Sequence, residues 1–182
     1  ALSPRAIKRL ENHKPNWPVP KIFRMVSKNK IISGIFEGST INTPSMLCVE
    51  DVLDALNWAK NLGGLNFLIK RSNKSFSYIE KWISETKWVD FLATKPSTRS
   101  NTSITFKINE EWFLKKDEIN QRNIMKEILT MLSKESVAFD INGYPKAPPS
   151  FRVWGGGTVD PENIKKLLPW IDWAYNHIKD KY

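Results

Sequence analysis

The sequence predicts an α/β fold, and two observations carry that prediction. After residue 86, short runs of apolar and β-branched residues alternate with segments in which apolar residues recur every three or four positions. Their order is strand, strand, helix, strand, strand, helix, which predicts a small α/β sandwich with one layer of helices. The chain has 182 residues, of which 41% are hydrophobic and 26% charged, so it can bury a core.

The first 86 residues are organised differently, and we interpret them as the edge of another domain. Ser3 followed by Pro4 predicts a helix start. Three prolines in residues 14–20 exclude a regular helix there. The other predicted elements are extended runs at 22–26 and 31–36 with a turn at 27–30, a polar loop at 37–44, and helices at 46–62 and 65–86 separated by Gly63-Gly64.

The second predicted domain, residues 87–182, contains the alternating segments. Asp160 followed by Pro161 predicts the start of its last helix, and Pro169 predicts a kink or a restart within that helix. The other predicted elements are strands at 89–92 and 103–108, a helix at 117–133, and strands at 137–141 and 151–154.

Composition disfavours several classes of protein. No apolar run approaches the roughly 20 residues of a membrane-spanning helix, so no membrane partner is expected. The single cysteine, Cys48, fits a reducing compartment, and we expect a cytoplasmic location. A net charge of +9 could indicate nucleic-acid binding, but the lysines are scattered and interleaved with acidic residues. We therefore expect a solvated basic surface and no nucleic-acid partner.

An arginine on an apolar strand is the first candidate functional residue. Arg152 lies in Phe151-Arg152-Val153-Trp154, which runs into three glycines. Its guanidinium stays charged and needs acceptors, so it must reach solvent, pair with a neighbouring carboxylate, or bind an anionic ligand. The glycines allow close approach of a backbone or a turn. The segment suits a carboxylate or phosphate clamp.

A polar loop before a helix is the second candidate. Residues 39–45 bring hydroxyls and an amide together with the N-terminus of the helix that Ser45 is predicted to cap. Free backbone N–H groups and the positive end of a helix can bind an anion, although plain capping explains Ser45 equally well.

Other chemistry-bearing residues favour ordinary explanations. His13 and His177 lie far apart in the sequence and Cys48 has no partner at ligand spacing, so no metal site is predicted. The neighbouring acids Glu110 and Glu111 are predicted on a solvent face.

Six segments in their order along the chain form a recognisable series. They are Ser3-Pro4-Arg5-Ala6, residues 18–24, Ile41-Asn42-Thr43-Pro44-Ser45-Met46-Leu47, residues 98–103, residues 148–158 and residues 168–174. Taken together they resemble phosphoserine aminotransferases. The resemblance covers essentially the whole chain and corresponds to the carboxy-terminal half of such an enzyme.

The resemblance implies the carboxy-terminal portion of a fold type I transferase dependent on pyridoxal 5'-phosphate. The implied protein is a homodimer that moves an amino group from glutamate to 3-phosphohydroxypyruvate, which gives O-phosphoserine and 2-oxoglutarate in serine biosynthesis. The implied Schiff-base lysine lies upstream of Ala1, so no catalytic residue is expected in this chain, and the chain alone is expected to be inactive.

The resemblance also implies roles for four residues. Asn42 and Thr43 match the pair that reaches the cofactor phosphate of the neighbouring subunit. Arg152 matches the arginine that holds the substrate carboxylate. Lys146 stands near the place where some members carry a His-Arg pair for the substrate phosphate, and here the positions read Pro145-Lys146. The alternatives are a serine- or alanine-glyoxylate type of aminotransferase and a basic, non-catalytic nucleic-acid-binding module.

Overall fold

The computed structural model describes residues 2–182, which form two compact units. One unit ends at Asn57, and the other spans Trp58–Tyr182. The sequence suggested a boundary after residue 86 instead. Compact units of one chain need not coincide with the domains of a longer protein, so the domains 1–86 and 87–182 stay a prediction.

The first unit begins with the predicted helix. Helix α1 spans Pro4–Asn12, and the Ser3 hydroxyl accepts a hydrogen bond from the Ala6 N–H at 3.2 Å. Strands β1 (Val26–Ser27) and β2 (Lys30–Ile31) then form a short antiparallel hairpin.

The predicted extended runs at 22–26 and 31–36 are wrong over most of their length. The turn lies where it was predicted, but Lys21–Phe23 and Ser33–Glu37 are 3-10 helices. The β1–β2 ladder joins only two residue pairs. Beyond the ladder the Ile32 N–H still donates to the Met25 carbonyl at 2.9 Å, but the 3-10 helices on both sides form local hydrogen bonds instead.

Two helices follow with the predicted break between them. Helix α2 spans Met46–Asn61 and helix α3 spans Gly64–Glu85. Gly63 and Gly64 adopt positive φ angles of 107° and 69°, which non-glycine residues rarely adopt, so helix α2 ends before them.

The second unit is built on a three-stranded antiparallel sheet. Strands β3 (Val89–Phe91), β4 (Ser103–Ile108) and β5 (Phe151–Trp154) lie in the order β3-β4-β5. Alternate residues of each strand are buried, because one face of the sheet packs against the core. The buried residues of β4 are Ile104, Phe106 and Ile108.

Three long helices contribute to that core. Helix α3 packs against α6 (Pro161–Lys179), which also packs against α5 (Glu118–Lys134). A four-residue helix, α4 (Glu111–Leu114), was not predicted. Helix α6 runs through Pro169 without restarting, so the alternative of a restart is wrong. Proline removes one backbone N–H, and the buried neighbours Leu168 and Ile171 anchor the helix on both sides of it.

The predicted strand at 137–141 is wrong. The N–H groups of Val137 and Ala138 donate to the Leu132 carbonyl at 2.9 and 3.4 Å, which closes the end of α5. Ser136 has a positive φ of 58° in that closing turn. These backbone groups cannot also form a β-ladder, and only an isolated bridge joins Asn142 to Phe151.

Carboxylates tie α6 to neighbouring segments. The Asp172 carboxylate accepts hydrogen bonds from the indole N–H groups of Trp82 and Trp88 at 2.8 and 2.9 Å.

None of the helices between residues 2 and 182 combines the length and apolar character that a bilayer-spanning helix requires.

Glu110 does not lie on a fully solvated face as predicted. Its carboxylate accepts hydrogen bonds from Trp112 and Tyr175 and pairs with Lys179 at 2.7 Å, and its side chain is 26% exposed. The sequence could not reveal this because Tyr175 and Lys179 lie about 65 residues away along the chain.

Candidate functional site

The candidate arginine lies on the face of the sheet opposite the core. Phe151 and Val153 in β5 are buried, so period-two alternation directs the Arg152 side chain to the other face. Thr105 of β4 stands directly opposite Arg152 in the antiparallel register. The Arg152 side chain is 22% exposed.

A second segment runs along the free edge of β5. The Arg152 N–H donates to the Ile141 carbonyl at 2.8 Å, and the Gly143 N–H donates to the Ser150 carbonyl at 2.9 Å. A side chain at position 143 would meet the Ser150 hydroxyl at 2.5 Å. Glycine at this position therefore permits the close approach that brings residues 140–144 beside Arg152.

Three groups from this segment surround the guanidinium. Arg152 Nη2 lies 3.4 Å from Asp140 Oδ2, and Nε donates to the Asn142 carbonyl at 3.4 Å. The guanidinium carbon lies 4.7 Å from the centre of the Tyr144 ring. Asp140 thus provides the salt bridge that the sequence left as one alternative for Arg152.

The pair with Asp140 is weak. It consists of one long contact rather than the two parallel hydrogen bonds of a bidentate pair. The Asp140 side chain is 86% exposed, so water and salt screen the attraction. Arg152 therefore keeps N–H groups that can donate hydrogen bonds to a planar carboxylate ligand.

Lys146 belongs to the same loop as Tyr144. The Ala147 N–H donates to the Tyr144 carbonyl at 2.9 Å, which forms a turn around Lys146. The Lys146 side chain is exposed, and it makes no ion pair or hydrogen bond with residues 2–182. Its assignment to a substrate phosphate stays a prediction.

Sequence reasoning missed two aromatic residues near this site. Trp154 shares the Arg152 face of β5, and its indole N–H donates to the Thr158 hydroxyl at 3.1 Å. The two-residue spacing from Arg152 was a sufficient signal for Trp154. Tyr144 gave no such signal, because the backbone pairing of 141–143 with β5 positions it.

The second predicted site, residues 39–45, lies in the first unit. Asn42 and Thr43 are exposed, and within residues 2–182 their side chains form no hydrogen bonds. The Thr40 hydroxyl donates to the Asn42 carbonyl at 2.7 Å. Ser45 Oγ accepts from the Cys48 N–H at 3.5 Å, which is a long capping contact at the start of α2.

The donor set of this loop suits a phosphate. The Asn42 amide and the Thr43 hydroxyl are neutral donors, and the first N–H groups of α2 carry the positive end of the helix dipole. The loop therefore fits the phosphate end of the cofactor that the sequence resemblance implies. The assignment of Asn42 and Thr43 to it stays a prediction.

Comparisons with known proteins agree with the sequence motifs. The chain is 46% identical over 178 residues to the phosphoserine aminotransferase of Methanosarcina barkeri (strain Fusaro / DSM 804), which covers 98% of the chain and 45% of that enzyme. It is also 44% identical over 178 residues to the phosphoserine aminotransferase of Methanosarcina mazei, an alignment that again covers 98% of this chain and 45% of the relative. The chain spans about half the length of these curated relatives. No family model matches it.

Solved structures define the class of fold. The phosphoserine aminotransferase of Bacillus circulans subsp. alkalophilus aligns with a TM-score of 0.65 at 19% identity, over 79% of this chain and 36% of that one. The chain therefore has the α/β fold found in part of a fold type I pyridoxal-phosphate-dependent enzyme, and the predicted fold class is confirmed. The sequence similarity points to one kind of enzyme within that class, because it relates nearly the whole chain to phosphoserine aminotransferases.

Proposed function

We propose that this chain is the substrate-orienting part of a phosphoserine aminotransferase. The proposed reaction transfers an amino group from glutamate to 3-phosphohydroxypyruvate with pyridoxal 5'-phosphate as cofactor. The single observation that carries the proposal is Arg152, a charged side chain on the face of the sheet opposite the core whose one ion pair, with Asp140, is long and weak. The two Methanosarcina relatives bear the name of this activity.

Arg152 would bind the carboxylate that both substrates share. A guanidinium presents two parallel N–H groups that match a carboxylate, and it stays charged at every physiological pH. A fixed carboxylate orients the rest of the substrate, which places its amino or keto carbon reproducibly at the reacting position. Asp140 would lose its contact with Nη2 when the substrate carboxylate takes its place.

Asn42 and Thr43 would hold the cofactor phosphate of a neighbouring subunit in a homodimer. Their free donors and the adjacent helix N-terminus support this role. When bound, the cofactor supplies an electron sink for the electrons that remain at the amino-acid α-carbon. The proton-transferring lysine is proposed to lie outside this chain, in a part of the relatives that the alignment does not cover.

Lys146 is proposed to attract the substrate phosphate as a point charge. The comparisons do not favour an alternative function, because the named relatives at 44–46% identity are phosphoserine aminotransferases. A cytoplasmic location remains part of the proposal and rests on the single cysteine.

The proposal is tested with the full-length natural protein that contains this chain. Arg152→Ala is expected to raise the KM for both glutamate and 3-phosphohydroxypyruvate about tenfold to a hundredfold, because it removes a charge-assisted hydrogen-bonding group. The matched variant Asp140→Asn removes the partner of Arg152 but keeps the guanidinium, so it should leave both values equal to or below those of the natural protein. An unchanged KM in Arg152→Ala would contradict the carboxylate role.

The cofactor role has a separate test. Asn42→Ala and Thr43→Val are expected to raise the dissociation constant for pyridoxal 5'-phosphate, measured by titration of the cofactor into the apoprotein. An Asn42→Ala, Thr43→Val double variant with unchanged cofactor affinity would show that this loop does not hold the phosphate.

A further inference from the structure

We propose that Tyr144 is a positioning residue that fixes the plane of the Arg152 guanidinium and so presents it to a planar carboxylate. This inference rests on the proposed function, in which Arg152 binds the substrate carboxylate. It assigns a role to a residue to which the resemblance to aminotransferases gives none. Its evidence is the geometry of the loop that follows Asp140.

The first observation is the contact itself. The guanidinium carbon lies 4.7 Å from the centre of the Tyr144 ring, which is within the distance at which a cation and an aromatic face attract. The Tyr144 side chain is 61% exposed and lies outside the hydrophobic core. Core packing therefore does not explain the position of the ring, and the Arg152 guanidinium is the charged group that it contacts.

The second observation is that the backbone holds Tyr144 on both sides. The Gly143 N–H donates to the Ser150 carbonyl at 2.9 Å, and the Tyr144 carbonyl accepts from the Ala147 N–H at 2.9 Å. The ring is thus carried by a segment tied to β5 itself. The held backbone keeps the ring within reach of the Arg152 guanidinium although most of the ring surface faces solvent.

The third observation is the arrangement of the remaining contacts. The Asn142 carbonyl accepts a hydrogen bond from Arg152 Nε at 3.4 Å, and the Tyr144 ring lies near the same guanidinium. These contacts restrict the rotation of a side chain that otherwise samples many rotamers. A guanidinium fixed in this way loses less conformational entropy when a carboxylate binds.

The test compares two substitutions of Tyr144 in the full-length natural protein loaded with cofactor. Tyr144→Leu is expected to raise the KM for glutamate about two- to fivefold, the factor that corresponds to an exposed cation–π contact, with kcat changed less than KM. Tyr144→Phe keeps the ring and should restore the KM. Phe139→Leu changes another exposed aromatic residue of the same region and serves as the matched control.

A double-mutant cycle separates this inference from the function on which it rests. In an Arg152→Ala background, Tyr144→Leu should have no further effect on the KM for glutamate, because the positioned group is gone. An equal effect of Tyr144→Leu in both backgrounds would overturn the positioning role, as would a Tyr144→Phe variant as impaired as Tyr144→Leu. If Arg152→Ala alone leaves the KM unchanged, the carboxylate role of Arg152 fails instead.

Discussion

Gly155 follows β5 directly and has no room for a side chain. A Cβ atom at this position would lie 2.9 Å from Ile104 Cδ1 and 3.2 Å from Ser75 Cβ, which belong to β4 and α3. We expect Gly155→Ala to lower the free energy of unfolding by about 1–3 kcal/mol, because it overpacks the contact between sheet and helix. Urea denaturation of the natural protein and the variant measures the difference.

The neighbouring isoleucine supplies the control. Ile104→Val removes the Cδ1 atom that the new methyl group would meet, and by itself it should cost about 0.5–1.5 kcal/mol. In the Gly155→Ala background it should cost less, or restore stability, because the two changes share one contact. Strictly additive effects would show that another cause destabilises Gly155→Ala.

Arg152 shows which properties of a residue the sequence can reveal. Its strand, its face of the sheet and its need for an acceptor follow from alternation and from the chemistry of a guanidinium. Its partners do not, because Asp140 and Tyr144 reach it through backbone pairing between residues 141–143 and β5. The strand predicted at 137–141 is wrong because backbone pairing cannot be read from the sequence there either. The N–H groups that the apolar pattern assigned to a sheet instead close the end of α5.

The Glu110 carboxylate joins the β4–α4 connection to helix α6. Burial opposes the ionisation of Glu110, but hydrogen bonds from Lys179, Tyr175 and Trp112 outweigh it, so the pKa of Glu110 is lowered. A carboxyl group with a lowered pKa in the folded state stabilises the fold above its unfolded pKa, about 4.3. That contribution is lost as the pH falls from about 4.3 through the folded pKa.

We therefore expect Glu110→Gln to change the acid dependence of stability. The natural protein should lose stability more steeply than the variant as the pH falls below about 4.3, because only the natural protein must protonate this carboxylate. Urea denaturation at several pH values between 3 and 7 measures both curves. Parallel curves for the two proteins would contradict a stabilising role for ionised Glu110.

Burial is distributed unevenly over the whole chain. Among the described residues, the buried side chains begin at Ser72, and residues 2–71 have only exposed or partly buried ones. The core of the second unit instead combines all three strands with α3, α5 and α6. Apolar positions of α2 such as Val52, Leu53 and Leu56 recur at helical spacing, as the sequence predicted, yet they are 46–59% exposed. Periodicity reveals which face of a helix is apolar but not what covers it.

This distribution predicts where cooperative stability lies. Burial of apolar surface is the main favourable contribution to folding, so a fragment of residues 58–182 is expected to unfold in one cooperative transition. A fragment of residues 1–57 should show no such transition, because its described residues bury no side chain. Thermal denaturation followed by circular dichroism tests both fragments. Limited proteolysis of the 182-residue chain should likewise cleave before Trp58 first, and a protease-resistant first unit would contradict the prediction.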